Sequence, residues 1–124
     1  MEGFHTYKNV DIMEKITEGE RTQILQTLMN QSRIGIINAI MKSPLNVSQI
    51  SNIVRLDRST VVYHLSLLSK VGLVKEEVKP VKPAHSTGVM GRFFCVNGER
   101  LTLAVKLATD EITGITPELE WPKK

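Results

Sequence analysis

Apolar residues recur every three to four positions through the first half of the chain, which predicts a series of amphipathic helices. The first follows Asp11, and a second extends from Thr22 to Asn30, with Gly19 as either a break or a bend between them. A third helix is predicted from about residue 32 to 41. Residues 1–9 show no such pattern, and we expect them to be flexible.

Two further helices are separated by a very short turn. One begins at Asn46 or Ser48, and the other begins after Asp57 and covers about residues 58–71, up to Gly72. Asp is favoured at the N-cap of a helix, and Gly is favoured just beyond its C-terminus. Two helices with so short a connection have the proportions of a helix-turn-helix.

The spacing of apolar residues changes from helical to extended after Gly72. Residues 73–78 and 92–96 are predicted strands, and the prolines and glycines of residues 79–91 predict a long loop that joins them in a hairpin. Alternation places Phe94 and Val96 on one face of the second strand, but it does not say which face is buried.

These elements predict one domain over residues 10–113, with helices near both ends that pair two copies of the chain, and an irregular tail over residues 114–124. A chain of 124 residues is long enough for one compact domain. The fold class is mainly α with a small β-hairpin wing: a dimeric winged helix-turn-helix with the element order α-α-α-α-β-β-α, in which the two stretches on either side of Gly19 count as one helix.

The helix over residues 58–71 has two distinct faces when its residues are placed 100° apart. Its exposed face has no acidic residue after Asp57, whereas surface helices usually carry Glu and Lys. Small hydroxyls and a basic residue on that face suit close approach to a DNA groove; the alternative is a half-buried helix whose serines fill space. The predicted DNA-reading set is Arg58, Ser59, Val62, Tyr63, Ser66 and Lys70. The predicted core set is Val61, His64, Leu65, Leu67, Leu68 and Val71.

The charge distribution supports this interpretation more than the net charge of +3 does. Residues 55–92 carry seven basic residues against three acidic ones, an excess of four, which is larger than that of the whole chain. A local positive patch attracts a polyanion such as double-stranded DNA. We expect Lys79, Lys82 and Arg92 of the hairpin to contact phosphates or the minor groove, although the lysines of the loop could equally be solvated.

The last predicted helix, from residue 97 or 98 to about 112, carries two apolar stripes where one would cover a small core. The second stripe therefore predicts a partner, which we take to be another copy of the chain. The alternative is that the N-terminal helix packs on the last helix within one chain. The predicted dimer-interface residues are Ile12, Met13, Ile16, Leu101, Ala104, Val105, Ala108 and Ile112.

Several classes of protein are not expected. The single cysteine, Cys95, excludes an internal disulfide, and the three histidines lie in separate elements, with His64 on the core face, so we predict no metal site and no cofactor. A buried small hydrophobe, a redox switch and an intersubunit disulfide remain open for Cys95. No phosphate-binding loop or catalytic cluster suggests an enzyme. No apolar run suggests a membrane span or a secretion signal, so we expect a cytoplasmic protein.

Four segments carry the most characteristic motifs of the chain: Arg33 to Ile37, Val47 to Ser51, Leu56 to Leu65 and Leu68 to Val74. Together they resemble the winged helix-turn-helix regulators of the ArsR (arsenical-resistance-repressor-like) group. The resemblance covers roughly residues 25–112, and it implies a dimeric DNA-binding repressor or activator whose wing is the 73–96 hairpin. MarR-like and other winged-helix regulators share most of these motifs, and a loop of about 13 residues is longer than the usual ArsR-like hairpin loop.

The sequence thus predicts a sequence-specific DNA-binding transcriptional regulator that acts as a homodimer, with repression as the working expectation. Helix 58–71 would enter the major groove, and the wing at about 73–96 would contact phosphates or the minor groove. Two alternatives remain: a winged-helix module for protein–protein contact within the transcription machinery, and a regulator with a small-ligand pocket at the dimer interface. Nothing in the sequence identifies an effector.

Overall fold

The computed structural model describes residues 16–81 and 89–115. Within them, four helices precede a β-hairpin and one helix follows it, which confirms the predicted element order. The elements, in chain order, are α1 (Glu18–Leu28), α2 (Gln31–Ile40), α3 (Val47–Val54), α4 (Arg58–Lys70), β1 (Val74–Pro80), β2 (Met90–Val96) and α5 (Gly98–Ile115). None of the described helices combines the length and the apolar character needed to cross a bilayer.

Helix α1 begins at Glu18, earlier than the predicted Thr22, because a capping box defines its start. The Thr17 side chain accepts from the backbone N–H of Glu20, and the Glu20 side chain accepts from the backbone N–H of Thr17. Gly19 therefore lies inside the first turn and does not break the helix. Ile16 lies at a bend before this cap and is half-buried against the core. The predicted helical residues Ile12 and Met13, like residues 1–9, lie outside the described part.

The helix-turn-helix is formed by α3 and α4. A second capping box, between Asn46 and Gln49, starts α3 and decides between the two predicted caps. The turn then depends on Arg55, which adopts a left-handed conformation with φ 62° and ψ 42°. Asp57 precedes α4 as predicted, but its carboxylate accepts from the hydroxyls of Thr60 and Ser59 rather than from a backbone N–H. These two hydrogen bonds lower the pKa of Asp57.

The core lies between α4 and the elements that surround it. The predicted buried face of α4 is confirmed, except that Leu67 is only half-buried. Since α1, α2, α3 and β1 all pack on this helix, its position is set by the whole domain. The fully buried large side chains of the core are Ile24, Ile36, Ile40, Ile50, Val61, Leu68, Leu73 and Leu107.

The hairpin is antiparallel, with Val74 opposite Val96 and Pro80 opposite Met90. Each strand extends beyond the predicted limits, so the connection is shorter than the predicted loop over residues 79–91. Leu45, which precedes α3, exchanges two backbone hydrogen bonds with Phe94, N–O distances 3.1 and 2.8 Å. This bridge makes β2 the central strand and joins the wing to the start of α3.

Helix α5 begins at Gly98, where the Asn97 side chain accepts from a backbone N–H one turn on, and it continues to Ile115, past the predicted end near residue 112. Its buried residues are Leu103, Ala104 and Leu107. Ala104, predicted in the partner-facing stripe, is fully buried within one chain, because the core covers that side of the helix.

Gly72 ends α4 in a left-handed conformation with φ 82°. The N–H of Leu73 bonds to the carbonyl of Leu68 at 2.9 Å, and that of Gly72 to the carbonyl of Ser69 at 3.0 Å, as in a Schellman motif. A Cβ atom at this position would lie 3.1 Å from Nε of Arg100, which donates to the Val71 carbonyl. The dihedral angle therefore favours glycine here, and a Cβ atom would in addition require the Arg100 side chain to shift by a few tenths of an ångström.

We expect Gly72→Ala to lower the free energy of unfolding by about 1–2 kcal/mol, the cost of a left-handed L-residue. Gly35→Ala is the matched control, because Gly35 lies inside α2 and its Cβ would meet nothing within 4 Å. That change should raise stability by about 0.5–1 kcal/mol. Urea unfolding measures both changes. A neutral or stabilising Gly72→Ala would refute the left-handed conformation of Gly72 at the end of α4.

Candidate nucleic-acid interface

A groove of about 840 Å³ separates the exposed face of α4 from the wing. Its first wall is α4, its second is the inner face of the hairpin, and the N-terminus of α3 closes one end. The residues that line it are Asn46, Val47, Ser48, Arg58, Val62, Leu65, Ser66, Ser69, Lys70, Glu76, Met90, Arg92 and Phe94. Three cations and one carboxylate therefore face the same space.

The exposed face of α4 is arranged as predicted: all six of its predicted DNA-reading residues are exposed. Arg58 stands at the first turn, and its Nη1 donates to the Ser48 hydroxyl at 2.7 Å, which directs the guanidinium across the end of α3. Val62, Ser66 and Lys70 follow on successive turns along the groove. Ser59 and Tyr63 are exposed on the same helix, but they do not line the groove.

The predicted wing residues do not act as one group. Arg92 lies on the inner face of the hairpin, where it is paired with Glu76. Lys79 lies on the outer face, with its Nζ 5.1 Å from the centre of the Phe93 ring, a cation–π distance. The pleat separates them, because Lys79 and Arg92 occupy positions of opposite parity in the register. Lys82 lies outside the described residues.

Sequence reasoning missed several groove residues. Ser48 and Asn46 were considered only as helix caps, and Glu76 only as part of a strand. The signal for Glu76 was the alternation from Val74, which places residues 74, 76 and 78 on one face, but it becomes informative only once that face is known to point inward. No local pattern places the start of α3 beside the wing, since the Leu45–Phe94 bridge does this.

The core face of α4 contains the predicted packed histidine. His64 is buried, and its Nδ1 accepts from Nη1 of Arg33 at 3.1 Å, while Nε of Arg33 donates to the Thr27 carbonyl at 2.6 Å. This chain of hydrogen bonds ties the end of α1 through α2 to α4. Burial, with a smaller contribution from Arg33, lowers the pKa of His64, so the ring is neutral at pH 7.

Cys95 lies on the outer face of the wing and is half-buried, with its Sγ 3.7 Å from a carboxylate oxygen of Glu77. Burial and this carboxylate raise the pKa of the thiol. A raised pKa disfavours the reactive thiolate at neutral pH. The described residues also contain no group of three or more His, Cys, Asp and Glu side chains close enough to hold a metal ion.

Comparison with known proteins agrees with this geometry. Residues 30–76 match the model of the family described as "Bacterial regulatory protein, arsR family", a segment that covers α2 to α4 and the start of β1. No curated protein matches the sequence.

Solved structures share the fold at low sequence identity. An ArsR-like transcriptional regulator from Rhodococcus sp. RHA1 superposes with a TM-score of 0.56 at 16% identity, over 82% of this chain and 96% of that one. HlyU from Vibrio cholerae superposes with a TM-score of 0.56 at 22% sequence identity, over 78% of this chain and 93% of that one. A homodimeric winged helix-turn-helix DNA-binding domain from Mycobacterium bovis superposes with a TM-score of 0.55 at 18% sequence identity, over 86% of this chain and 87% of that one.

The groove between α4 and the hairpin is thus the space between the second helix of the helix-turn-helix and the wing. The resemblance seen in the sequence motifs is confirmed at two levels, the helix-turn-helix segment and the architecture around it. The chain has the winged helix-turn-helix fold of ArsR-like transcriptional regulators, and its residues 30–76 match the arsR family model.

Proposed function

We propose that this protein is a sequence-specific, DNA-binding transcriptional repressor that acts as a homodimer. Helix α4 enters the major groove, where Arg58, Val62 and Ser66 face the bases. Ser59 and Tyr63, exposed on the same helix beside the cleft, also contact the DNA. Arg92 of the wing contacts the phosphate backbone beside it. The arsR family match and the shared fold support the general class, and the groove residues support the assignment of contacts.

The observation that carries this proposal is the composition of the exposed face of α4. It is built from two cations, small hydroxyls, one valine and one tyrosine, with no acid beyond Asp57. Arginine can bond a guanine edge with two hydrogen bonds, serine can bond phosphates or base edges, and valine can contact a thymine methyl group. Thirteen helical residues span about 20 Å, enough to lie along a major groove.

The start of α3 adds a site for a phosphate at the end of the same groove. Asn46, Val47 and Ser48 line it, and a helix N-terminus carries a partial positive charge. The Ser48–Arg58 hydrogen bond places a full positive charge beside this N-terminus. A DNA strand that follows the groove would therefore meet positive potential at its α3 end.

Dimerisation is proposed through the outward side of α5. Val105 is 52% exposed and Ile112 is 47% exposed, and half-buried Ala108 lies on the same side, whereas Leu101 packs against the core of its own chain. A two-fold axis here would bury the stripe against its own copy and place two recognition helices about 34 Å apart, one turn of DNA. The operator is then a pseudo-palindrome. A homodimeric winged-helix neighbour supports this arrangement.

The direct test is selection from a pool of random duplexes at two salt concentrations, with the full chain and with the Arg58→Ala, Tyr63→Ala double variant. We expect an enriched palindrome that the double variant fails to bind. Weak binding that disappears with salt and ignores the double variant would instead support a winged-helix module for protein–protein contact.

On the enriched site, Arg58→Ala alone should weaken binding by about 1–3 kcal/mol, the value of a bidentate base contact. The same change at Arg21 is the matched control: Arg21 lies on α1, does not line the groove, and forms a 3.6 Å surface pair with Glu111. Fluorescence anisotropy measures both variants. Equal losses by Arg58→Ala on the selected and a scrambled duplex would make Arg58 a phosphate contact.

A further inference from the structure

The wing arginine already has a partner inside the groove. Nε and Nη2 of Arg92 both donate to the Glu76 carboxylate, the second at 3.2 Å. Glu76 is opposite Phe94 and Arg92 is opposite Val78, so the two side chains meet diagonally across the hairpin on its inner face. The pair uses two of the donors with which Arg92 would grip a phosphate.

The remaining charges around the pair are positive. Among the described residues that line the groove, Glu76 is the single acid, and it shares the groove with Arg58 and Lys70 of α4 as well as with Arg92. The Arg92 side chain is 71% exposed and that of Glu76 is 35% exposed, so the guanidinium is the more accessible of the two groups. Arg92 lowers the pKa of Glu76, which therefore stays ionised at neutral pH.

A carboxylate and a phosphate compete for the same guanidinium, because both present two oxygens to its planar donors. A phosphate that reaches the wing must displace Glu76 or share Arg92 with it, and it is repelled by Glu76 in either case. A duplex that is well seated in the groove brings the phosphate close enough to complete the exchange. A poorly seated duplex meets the repulsion without gaining the contact.

We propose that Glu76 is a specificity-determining residue: it occupies Arg92 until DNA is correctly seated between α4 and the wing. This rests on the proposed function and adds how the site discriminates. Random DNA, held mainly by phosphate charge, gains little from Arg92 in the native protein. Glu76 therefore lowers affinity for random DNA more than affinity for the operator.

The test is a double-mutant cycle of Glu76→Gln and Arg92→Ala, titrated against a random duplex and the enriched duplex at two salt concentrations. Glutamine keeps an acceptor for Arg92 but removes the charge. Glu76→Gln should tighten binding to random DNA by about fivefold to tenfold, one freed charge-assisted contact, and steepen the salt dependence by about one released ion. Binding to the enriched duplex should change less, so the ratio of the two affinities falls.

The double-mutant cycle measures the energetic coupling between Glu76 and Arg92 in DNA binding. Arg92→Ala should weaken random-DNA binding by less than about twofold in the native background and by about fivefold or more in the Glu76→Gln background. Equal effects of Arg92→Ala in the two backgrounds would overturn the proposal.

Glu77→Gln is the matched control, since it removes the same charge from the adjacent residue on the outer face, where Glu77 contacts Cys95. If Glu77→Gln tightens random-DNA binding as much as Glu76→Gln does, a general charge effect explains the result and the proposal fails. Circular dichroism checks that each variant is folded. A folded native protein that binds neither duplex would refute the regulator function itself, whereas native binding with no coupling refutes only the role of Glu76.

Discussion

Val105→Glu is expected to convert the proposed homodimer into monomers. Val105 points outward from α5, opposite the buried side formed by Leu103, Ala104 and Leu107, and it is 52% exposed in one chain. At a two-fold axis the stripe meets its own copy, so a glutamate there would place two carboxylates in an apolar contact. Burying an unpaired charge costs several kcal/mol, more than most interfaces of one helix can tolerate.

The loss of the dimer should also weaken DNA binding. Two linked half-site contacts gain about 10²–10⁴ in affinity over one, so the variant should lose at least a hundredfold on the palindrome. Sedimentation velocity gives the mass, and anisotropy gives the affinity. Gln26→Glu is the control, because Gln26 is exposed on α1 rather than on α5 and the added charge is identical.

Sedimentation velocity and anisotropy together distinguish an error in the position of the interface from an error in the homodimer itself. A dimeric Val105→Glu protein would place the interface elsewhere on the chain. A native protein that is monomeric at high concentration would refute the homodimer, and the selected site would then be a single half-site.

Leu68→Ala is expected to lower the free energy of unfolding by about 2–5 kcal/mol, the range for a leucine removed from a packed core. Leu68 is fully buried, and it lies on the side of α4 opposite the groove. The free energy of unfolding of a single domain is about 5–15 kcal/mol, so this one change removes a large share of the stability. It also loosens the helix that is proposed to read DNA.

Leu67→Ala is the control for Leu68→Ala, since the neighbouring leucine is only half-buried. It should cost about 1 kcal/mol, roughly half of the transfer free energy of a leucine side chain. Urea unfolding at one fixed protein concentration compares them, because dimerisation would add a concentration-dependent contribution. Similar losses for the two variants would show that α4 is not packed as described.

The helices could be predicted from the sequence because their determinants are local. The amphipathic pattern of α4 separates Leu68 from Val62 and Tyr63, and the structure confirms that division. Asn46 and Gly72 mark helix ends through hydrogen bonds to residues within one turn. Even the error at α1 was local, since the pattern missed the capping box of Thr17 and Glu20.

The wing was less predictable because its contacts join distant residues. Alternation separated Phe94 from Phe93 and Cys95 but did not say which face was buried, and the bridge to Leu45 supplied that answer. Grouping Lys79 with Arg92 followed from their positions in the sequence alone. The pleat places them on opposite faces, and only Arg92 reaches the groove.

The sequence by itself therefore determined the order of elements, the face that α4 exposes and the absence of acids on that face, because side chains three or four residues apart on a helix share a face. Tertiary structure decided that Ala104 lies in the core of one chain, that Ser48 meets Arg58 and that Glu76 occupies Arg92. These contacts depend on how helices and strands pack across tens of residues, and no short-range periodicity encodes that packing.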